Sequence, residues 1–219
     1  MILAAGRGER LRPLTDRTPK PLIEIGGATL IERHLQGLSR AGVSEVVINI
    51  SWLGEQIKDR LGDGRCWNLN IQYSPEPPGA LETAGGIRRA LPLLDCECFL
   101  VVSADVLTDF DYRTLIDLRL SGLAHLVMVD NPPHHADGDF LLTERGTLTM
   151  GNENCLTYAG IGLFRSAMFA DLDPNVALPL RPLLDKAIKA GQLSGEHYRG
   201  RWMDIGSPQR LNAAIQQNR

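Results

Sequence analysis

The sequence predicts an α/β fold of the Rossmann-like class, with a mostly parallel sheet, helices on both faces and a small antiparallel lobe. Over the first two thirds of the 219 residues, short β-branched runs alternate with helical patterns. Residues 99–102 are apolar throughout, as expected for a strand that is buried on both faces. After about residue 138 the pattern changes to short strands, which we expect to form the antiparallel lobe over the open edge of the sheet.

The strands are predicted from runs of apolar and β-branched residues. In the order of the chain they cover residues 2–4, 46–50, 69–73, 99–102 and 126–129, and then 139–142, 147–149 and 158–164. Residues 69–73 alternate apolar and polar side chains, as a half-buried strand does. The last three runs are the strands that we assign to the antiparallel lobe.

The helices are predicted from apolar residues at helical spacing. The first begins with a capping box at residues 29–32 and stops at Gly42. The others cover residues 53–61, 83–91, 112–120, 182–190 and 208–217. Pro182 and Pro208 suit the first position of a helix. Right-handed crossovers between parallel strands then place the strand carboxyl ends, and any ligand, along one edge of the sheet.

The composition excludes several classes of protein. There are 23 basic and 26 acidic residues, 43% of the chain is hydrophobic, and the net charge is −3, which indicates a globular protein without a basic nucleic-acid-binding face. No run approaches the roughly 18 apolar residues of a membrane span, and residues 1–5 are too short for a signal peptide. The four cysteines lack zinc or redox spacing, so we expect reduced thiols in the cytoplasm.

The segment after the first predicted strand combines glycines with basic side chains. Gly6 and Gly8 allow backbone N–H groups to approach an anion, and arginine forks match phosphate oxygens. Lys20 stands between two prolines, where its backbone has little freedom. The segment is neither a P-loop nor a dinucleotide fingerprint, because no Gly-Lys-Ser/Thr follows and Pro13 blocks the required helix. It predicts a phosphate-binding loop, and the alternative is a basic surface loop with two turn glycines.

Residues 3–15 and 19–22 resemble the signature of the sugar-1-phosphate nucleotidyltransferases. Residues 81–86 and 202–208 agree with it, so the resemblance covers essentially the whole chain. Residues 194–200 are similar to uridylyltransferases of bacterial cell-wall recycling. The resemblance implies one domain over residues 1–219, with a nucleotide half at about 1–137 and a sugar-binding lobe with closing helices at about 138–219.

The resemblance also implies roles for individual residues. Arg10 would bind the departing pyrophosphate, and Lys20 would lie at the α-phosphate. Asp105 would be the third catalytic residue. Asp105 and Asp204 would hold Mg²⁺, which binds one or two carboxylates and completes its shell with phosphate and water. The implied nucleotide site is Ala5, Gly6, Gly8, Glu9, Arg10, Lys20, Glu76, Gly85 and Asp105, and the implied sugar site is Gly138, Asp139, Glu153 and Gly160.

The expected substrates are UTP and a sugar 1-phosphate, which would yield a UDP-sugar and pyrophosphate. Glu76 lies where the family contacts the base, and a carboxylate accepts an N–H of uracil, thymine or guanine but not of cytosine. The resemblance favours UTP. Guanylyl transfer to mannose 1-phosphate and thymidylyl or uridylyl transfer to glucose 1-phosphate stay open. So do a homo-oligomeric state and a non-catalytic binding relative, although the latter would tend to lose Lys20 or an aspartate.

Two positions depart from the family pattern, and two further motifs invite other interpretations. Ala104 replaces the usual glycine before Asp105, and residues 151–155 lack the lysine that many relatives use for the sugar phosphate. The pair His134-His135 is interpreted as part of a polar loop rather than as a metal site. Asp109-x-Asp111 is similar to the motif of metal-dependent glycosyltransferases, but Asp111 is more simply a helix N-cap.

Overall fold

The computed structural model describes residues 1–218, which are built around a seven-stranded sheet. The strands, in chain order, are β1 (Ile2–Leu3), β2 (Glu24–Ile25), β3 (Ala28–Thr29), β4 (Glu45–Ile50), β5 (Asn70–Pro75), β6 (Cys98–Ser103), β7 (Val106–Thr108), β8 (Ala124–Val129), β9 (Leu141–Leu142), β10 (Leu148–Thr149), β11 (Thr157–Arg165), β12 (Leu193–His197) and β13 (Trp202–Asp204). The α-helices are α1 (Leu30–Arg40), α2 (Gly54–Leu61), α3 (Glu82–Leu94), α4 (Arg113–Ile116), α5 (Arg181–Lys189) and α6 (Pro208–Gln217).

The main sheet has the strand order β12-β8-β11-β6-β1-β4-β5. Strand β1 is parallel to β4 and β6, β4 is parallel to β5, and β12 is parallel to β8. Strand β11 is antiparallel to both β6 and β8. The prediction of a mostly parallel α/β sheet is therefore confirmed.

The placement of β11 was predicted wrongly. Its sequence was assigned to the antiparallel lobe, but the strand lies inside the main sheet. It is nine residues long, and Ile161, Leu163 and Phe164 are buried, so both of its faces are covered by protein. The lobe itself is reduced to the β9–β10 pair and to isolated bridges such as Thr147 to Ser194.

Helices cover both faces of the sheet, as predicted. One core cluster brings Leu35 of α1 and Ile57 of α2 against the sheet, and the other brings Ile87 of α3 and Leu184 of α5 against it. The predicted capping box is present, because the Thr29 hydroxyl accepts from the Glu32 N–H and the Glu32 carboxylate accepts from the Thr29 N–H.

Helix α4 is shorter than predicted, and five strands were not predicted. The helix ends at Ile116 rather than at residue 120. The carbonyls of Leu120 and Gly122 accept hydrogen bonds from the Arg165 guanidinium instead of forming helical bonds. The unpredicted strands lacked a recognisable apolar pattern and are β2, β3, β7, β12 and β13. Within residues 1–218, no helix has the length and apolar character needed to cross a membrane.

The carboxyl ends of β1, β4 and β6 meet at one edge of the sheet, because the three strands are parallel neighbours. The chain leaves this edge through Ala4 after β1 and through Ala104 and Asp105 after β6. Antiparallel pairing of β7 with β13 brings Asp204 opposite Val106 at the same edge. Segments that are distant in sequence therefore converge there.

Candidate active site

The loop after β1 forms one wall of a cavity of about 280 Å³ at this edge, here called the first cavity. Ala5, Gly6 and Gly8 line it. Gly8 has a φ of +68°, and a Cβ built there would lie 3.0 Å from the Thr15 side chain, so both the backbone conformation and the space favour glycine. The Thr15 hydroxyl donates to the Gly8 carbonyl at 2.9 Å and holds the loop in place.

The three arginines of the segment have different environments. Arg7 lies 2.8 Å from the Asp16 carboxylate, and its guanidinium stacks 3.5 Å from the centre of the Trp52 ring. Arg12 also pairs with Asp16, at 3.0 Å. Arg10 is exposed and lines a neighbouring cavity of about 390 Å³, here called the second cavity. Arg7 and Arg12 therefore brace the loop, and Arg10 faces the site.

Lys20 and Asp105 meet between these two cavities. The ammonium group of Lys20 contacts the Asp105 carboxylate in an ion pair. Lys20 begins a short 3-10 turn after Pro19, and its side chain is only 13% exposed. Its charge is therefore held in a partly desolvated position, where it acts more strongly than it would in water.

The second predicted metal ligand lies beside the first. The Ile205 N–H donates to the Asp105 carbonyl at 2.8 Å, which joins the two aspartate-bearing segments. Asp204 Oδ2 is 3.0 Å from the Arg210 guanidinium, and Oδ1 is 3.1 Å from His134 Nε2. Oδ1 is nevertheless a buried oxygen whose geometry gives it no hydrogen bond within residues 1–218. This oxygen is suited to a ligand that the protein does not itself supply.

Arg10 approaches the same turn. A Cβ built on Gly206 would lie 3.0 Å from Arg10 Nη2 and 1.9 Å from Arg210 Nη2. The absence of a side chain at Gly206 therefore lets both guanidinium groups come close to the Asp204 turn. The structure thus brings together Arg10, Lys20, Asp105 and Asp204.

A third cavity, of about 360 Å³, continues the site away from the arginine loop. It shares Ser103, Tyr158 and Gly160 with the second cavity, and Asp139 lies in its wall. Gly160 has a φ of +72°, and a Cβ there would meet the Ser103 hydroxyl oxygen at 2.7 Å. Two of the predicted sugar-site residues, Asp139 and Gly160, therefore lie in this cavity.

Glu76 lines the first cavity, but its carboxylate already has protein partners. Asn49 Nδ2 donates to Oε1 at 2.6 Å, and the Leu81 N–H donates to Oε2 at 2.7 Å. Asn49 also accepts from the Ala4 N–H at 2.7 Å. This chain of hydrogen bonds ties the loop after β1 to the opposite wall. Each Glu76 oxygen keeps a second lone pair that can accept another hydrogen bond. The contact of Glu76 with a nucleotide base stays a prediction.

Four other predicted site residues are not brought to the cavity walls. Gly85 packs against another segment, because a Cβ there would lie 2.4 Å from the Val176 carbonyl oxygen. Gly138 has a φ of +67° and no room for a Cβ beside Cys155. Glu153 and Glu9 are exposed and lie outside the residues that line the three cavities. For these four residues the structure gives no direct contact with the site.

Several residues of the site were missed by sequence reasoning. His134 and His135 line the second cavity, and His135 Nε2 is 3.2 Å from Asp139 Oδ1. Arg181 lines the third cavity, and Arg210 pairs with Asp204. The contact of His135 with Asp139 spans four residues and that of Arg210 with Asp204 spans six. The place of Arg181 in the third cavity depends on how distant segments fold together, so no local pattern could predict it. Within residues 1–218, no group of three or more His, Cys, Asp or Glu side chains is arranged to hold a metal.

Behind Asp105, a buried histidine supports the strand edge. His34 Nδ1 lies 2.7 Å from the Tyr112 hydroxyl. Burial lowers the pKa of the His34 imidazole to about 4, although the nearby Asp105 carboxylate acts in the opposite direction. His34 is therefore neutral near pH 7 and adds no positive charge to the site.

The chain is similar to known proteins both in sequence and in fold. A family model described as nucleotidyl transferase matches residues 1–138. An N-acetylmuramate alpha-1-phosphate uridylyltransferase of Neisseria meningitidis serogroup B is 49% identical over 220 residues, covering 98% of this chain and 95% of the relative. A protein of the same name from Caulobacter vibrioides is 30% identical over 228 residues, covering 98% of this chain and 94% of the relative. A solved Bacillus anthracis structure, assigned as a glucose-1-phosphate thymidylyltransferase, superposes with a TM-score of 0.88 at 19% identity over 100% of this chain and 94% of that one.

Proposed function

Because this chain belongs to the nucleotidyl transferase family, we propose that it transfers UMP from UTP to N-acetylmuramate α-1-phosphate, giving the UDP-sugar and pyrophosphate. The observation that carries this proposal is the convergence of Arg10, Lys20, Asp105 and Asp204 at one sheet edge. The 49% identity to a uridylyltransferase with that substrate supports the choice of nucleotide and sugar. We place the reaction in the cytoplasm, where UTP is available.

The proposed reaction is an in-line displacement at the α-phosphorus. An oxygen of the sugar phosphate forms the new P–O bond, and the bond to the bridging oxygen of the β-phosphate breaks, so pyrophosphate leaves with the electron pair. A sugar phosphate has a second pKa near ~6, by analogy with phosphoserine, and is already anionic at pH 7. The enzyme therefore needs no general base, and its task is to position two anions and neutralise their charge.

Three protein elements would perform this task. The N–H groups of the Gly6–Gly8 loop would cradle the triphosphate in the first cavity. Lys20 would stabilise negative charge at the α-phosphate once it exchanges the Asp105 carboxylate for phosphate oxygens. Arg10, in the second cavity, would bind the pyrophosphate as it departs.

The donor set fits Mg²⁺. Asp204 Oδ1 is buried without a hydrogen bond within residues 1–218, and Asp105 lies on the adjoining segment. One or two carboxylates, completed by phosphate oxygens and water, are the usual protein contribution to an Mg²⁺ site. When bound, Mg²⁺ would neutralise part of the charge on the triphosphate.

The base preference follows from the wall of the first cavity. Glu76 can accept an N–H from uracil, thymine or guanine through its remaining lone pairs. Ala104 is buried in the same wall, where its methyl group narrows the space beside the nucleotide. The alternatives are therefore GTP with mannose 1-phosphate and dTTP or UTP with glucose 1-phosphate.

A panel of nucleotides tests this proposal. Pyrophosphate release should be measured with UTP, dTTP, GTP and CTP, each paired with the 1-phosphates of N-acetylmuramate, N-acetylglucosamine, mannose and glucose. We expect UTP with N-acetylmuramate 1-phosphate to give the highest kcat/KM, and release to require Mg²⁺. A clear preference for GTP with mannose 1-phosphate would overturn the assignment, and no release with any pair would indicate a non-catalytic relative.

A further inference from the structure

The wall of the third cavity contains a basic side chain as well as two acidic ones. Its charged lining side chains within residues 1–218 are Glu82, Asp139 and Arg181, so Arg181 is its cation. Carboxylates are sufficient to accept hydrogen bonds from sugar hydroxyls. An arginine in the wall indicates that the ligand carries an anionic group at this end as well.

Three contacts fix the Arg181 guanidinium. It lies over the Phe140 ring, 4.6 Å from the ring centre, which sets the plane of the fork. Its Nε donates to Asp185 Oδ1 at 2.7 Å, and its Nη1 is 3.8 Å from Asp139 Oδ1. The side chain is 47% exposed and lines the third cavity, so it is accessible to a ligand there. Such a preorganised fork matches a carboxylate with little loss of rotamer freedom.

Arg181 lies in a different cavity from the residues of the proposed phosphate site. The second cavity holds Arg10, Asp105 and Asp204, and Arg181 is not among the described residues that line it. The two cavities meet at Ser103, Tyr158 and Gly160. A sugar 1-phosphate that places its phosphate in the second cavity would extend its ring into the third, towards Arg181.

We propose that Arg181 binds the carboxylate of the lactyl ether of N-acetylmuramate and thereby selects this sugar over N-acetylglucosamine. N-acetylmuramate differs from N-acetylglucosamine by this ether at C3, which adds one negative charge. This inference rests on the proposed function. The start of α5 adds the positive end of a helix to the same place.

Asp139 does not oppose this assignment. Its Oδ2 accepts from the Tyr158 N–H at 2.8 Å, and its Oδ1 faces both His135 and Arg181. The carboxylate is therefore held by protein donors and turned towards the cation. It can accept a hydrogen bond from a ring hydroxyl while Arg181 engages the lactyl group.

The test compares two sugars within each variant. Arg181→Gln, Arg181→Lys and the control Lys189→Gln, an exposed lysine at the end of the same helix, should be assayed with UTP and the 1-phosphates of N-acetylmuramate and N-acetylglucosamine. We expect Arg181→Gln to lower the kcat/KM ratio of muramate to glucosamine at least about tenfold, mainly through KM. Arg181→Lys should be intermediate, and Lys189→Gln should match the wild type. Since both sugars are measured on one preparation, loss of folded protein does not change the ratio.

A second measurement needs no turnover. Titration calorimetry should show that Arg181→Gln binds UDP-N-acetylmuramate more weakly than the wild type does. The affinity for UDP-N-acetylglucosamine should be the same in both proteins. An unchanged ratio, or equal losses for both sugars, would overturn the role of Arg181 while leaving the proposed function intact. A wild-type enzyme that uses N-acetylglucosamine 1-phosphate but not the muramate compound would instead overturn the proposed function, and this inference with it.

Discussion

At the scale of single residues, the proposed site contains a lysine that is paired with a carboxylate of the same chain. The Lys20 ammonium contacts the Asp105 carboxylate and is largely buried. The pair keeps each charge neutralised while the site is empty of substrate. If an anionic phosphate replaced the carboxylate at Lys20, Asp105 would become available to a divalent cation, so we expect nucleotide and metal binding to reinforce each other.

Removal of the Lys20 charge should therefore affect the chemical step. We expect Lys20→Ala to lower kcat by about 10²–10³-fold, the usual loss when one preorganised transition-state donor is removed. Steady-state pyrophosphate release with saturating UTP is the measurement. Lys58→Ala is the matched control, since Lys58 pairs with Glu55 on the surface of α2. If Lys20→Ala kept the turnover of the control, the phosphate-binding role of this segment would be wrong.

The sequence indicated the grouping of site residues most clearly where those residues belong to one motif. The glycines and Lys20 lie within about twenty residues, so their grouping was visible in the chain. Arg10 was singled out by the resemblance, and the structure shows why Arg7 and Arg12 differ, because both pair with Asp16. The contact of His134 with Asp204 was invisible, since the two residues are far apart in the chain and meet only through tertiary folding.

At the scale of elements, periodicity predicted the helices and eight of the thirteen strands, and the missed strands were those without an apolar run. Strand β6 and the capping box of α1 have strong local signals, and both are present. Strands β7 and β13 are three residues each and exist because they pair with each other. That pairing is what places Asp204 beside Asp105. The element most important for the metal site was therefore among the least predictable.

Helix α1 carries a buried titratable group against this part of the fold. His34 contacts the Tyr112 hydroxyl and senses the Asp105 charge, and its pKa is lowered from 6.5 to about 4 by burial. The unfolded chain therefore takes up this proton first as the pH falls. The contribution of His34 to stability is fully present above pH 6.5 and is lost as the pH falls towards 4.

This linkage predicts a pH-dependent loss of stability that one substitution should reduce. The free energy of unfolding should fall by about 2 kcal/mol from pH 8 to pH 5 through His34 alone. Urea unfolding at several pH values should show a shallower decline in His34→Gln than in the wild type. Lys189→Gln, which alters an exposed lysine at the end of α5, should follow the wild-type slope. Identical slopes for His34→Gln and the wild type would show that His34 is not buried in the neutral form.

At the scale of the whole molecule, the sheet edge organises the three cavities into one continuous site. The first and second cavities share Ser103 and Asp105, and the second and third share Ser103, Tyr158 and Gly160. The first and third cavities also share four lining residues, so the three cavities adjoin one another around Ser103. The fold and the family membership were both predicted from the sequence and are confirmed.

A crystal structure with a non-hydrolysable UTP analogue and Mn²⁺, in which the anomalous signal locates the metal, would show whether the four residues form one phosphate site. We expect the triphosphate between Arg10 and Lys20 and the metal within bonding distance of both Asp105 and Asp204. A triphosphate bound elsewhere, or a metal that touches neither aspartate, would contradict this expectation.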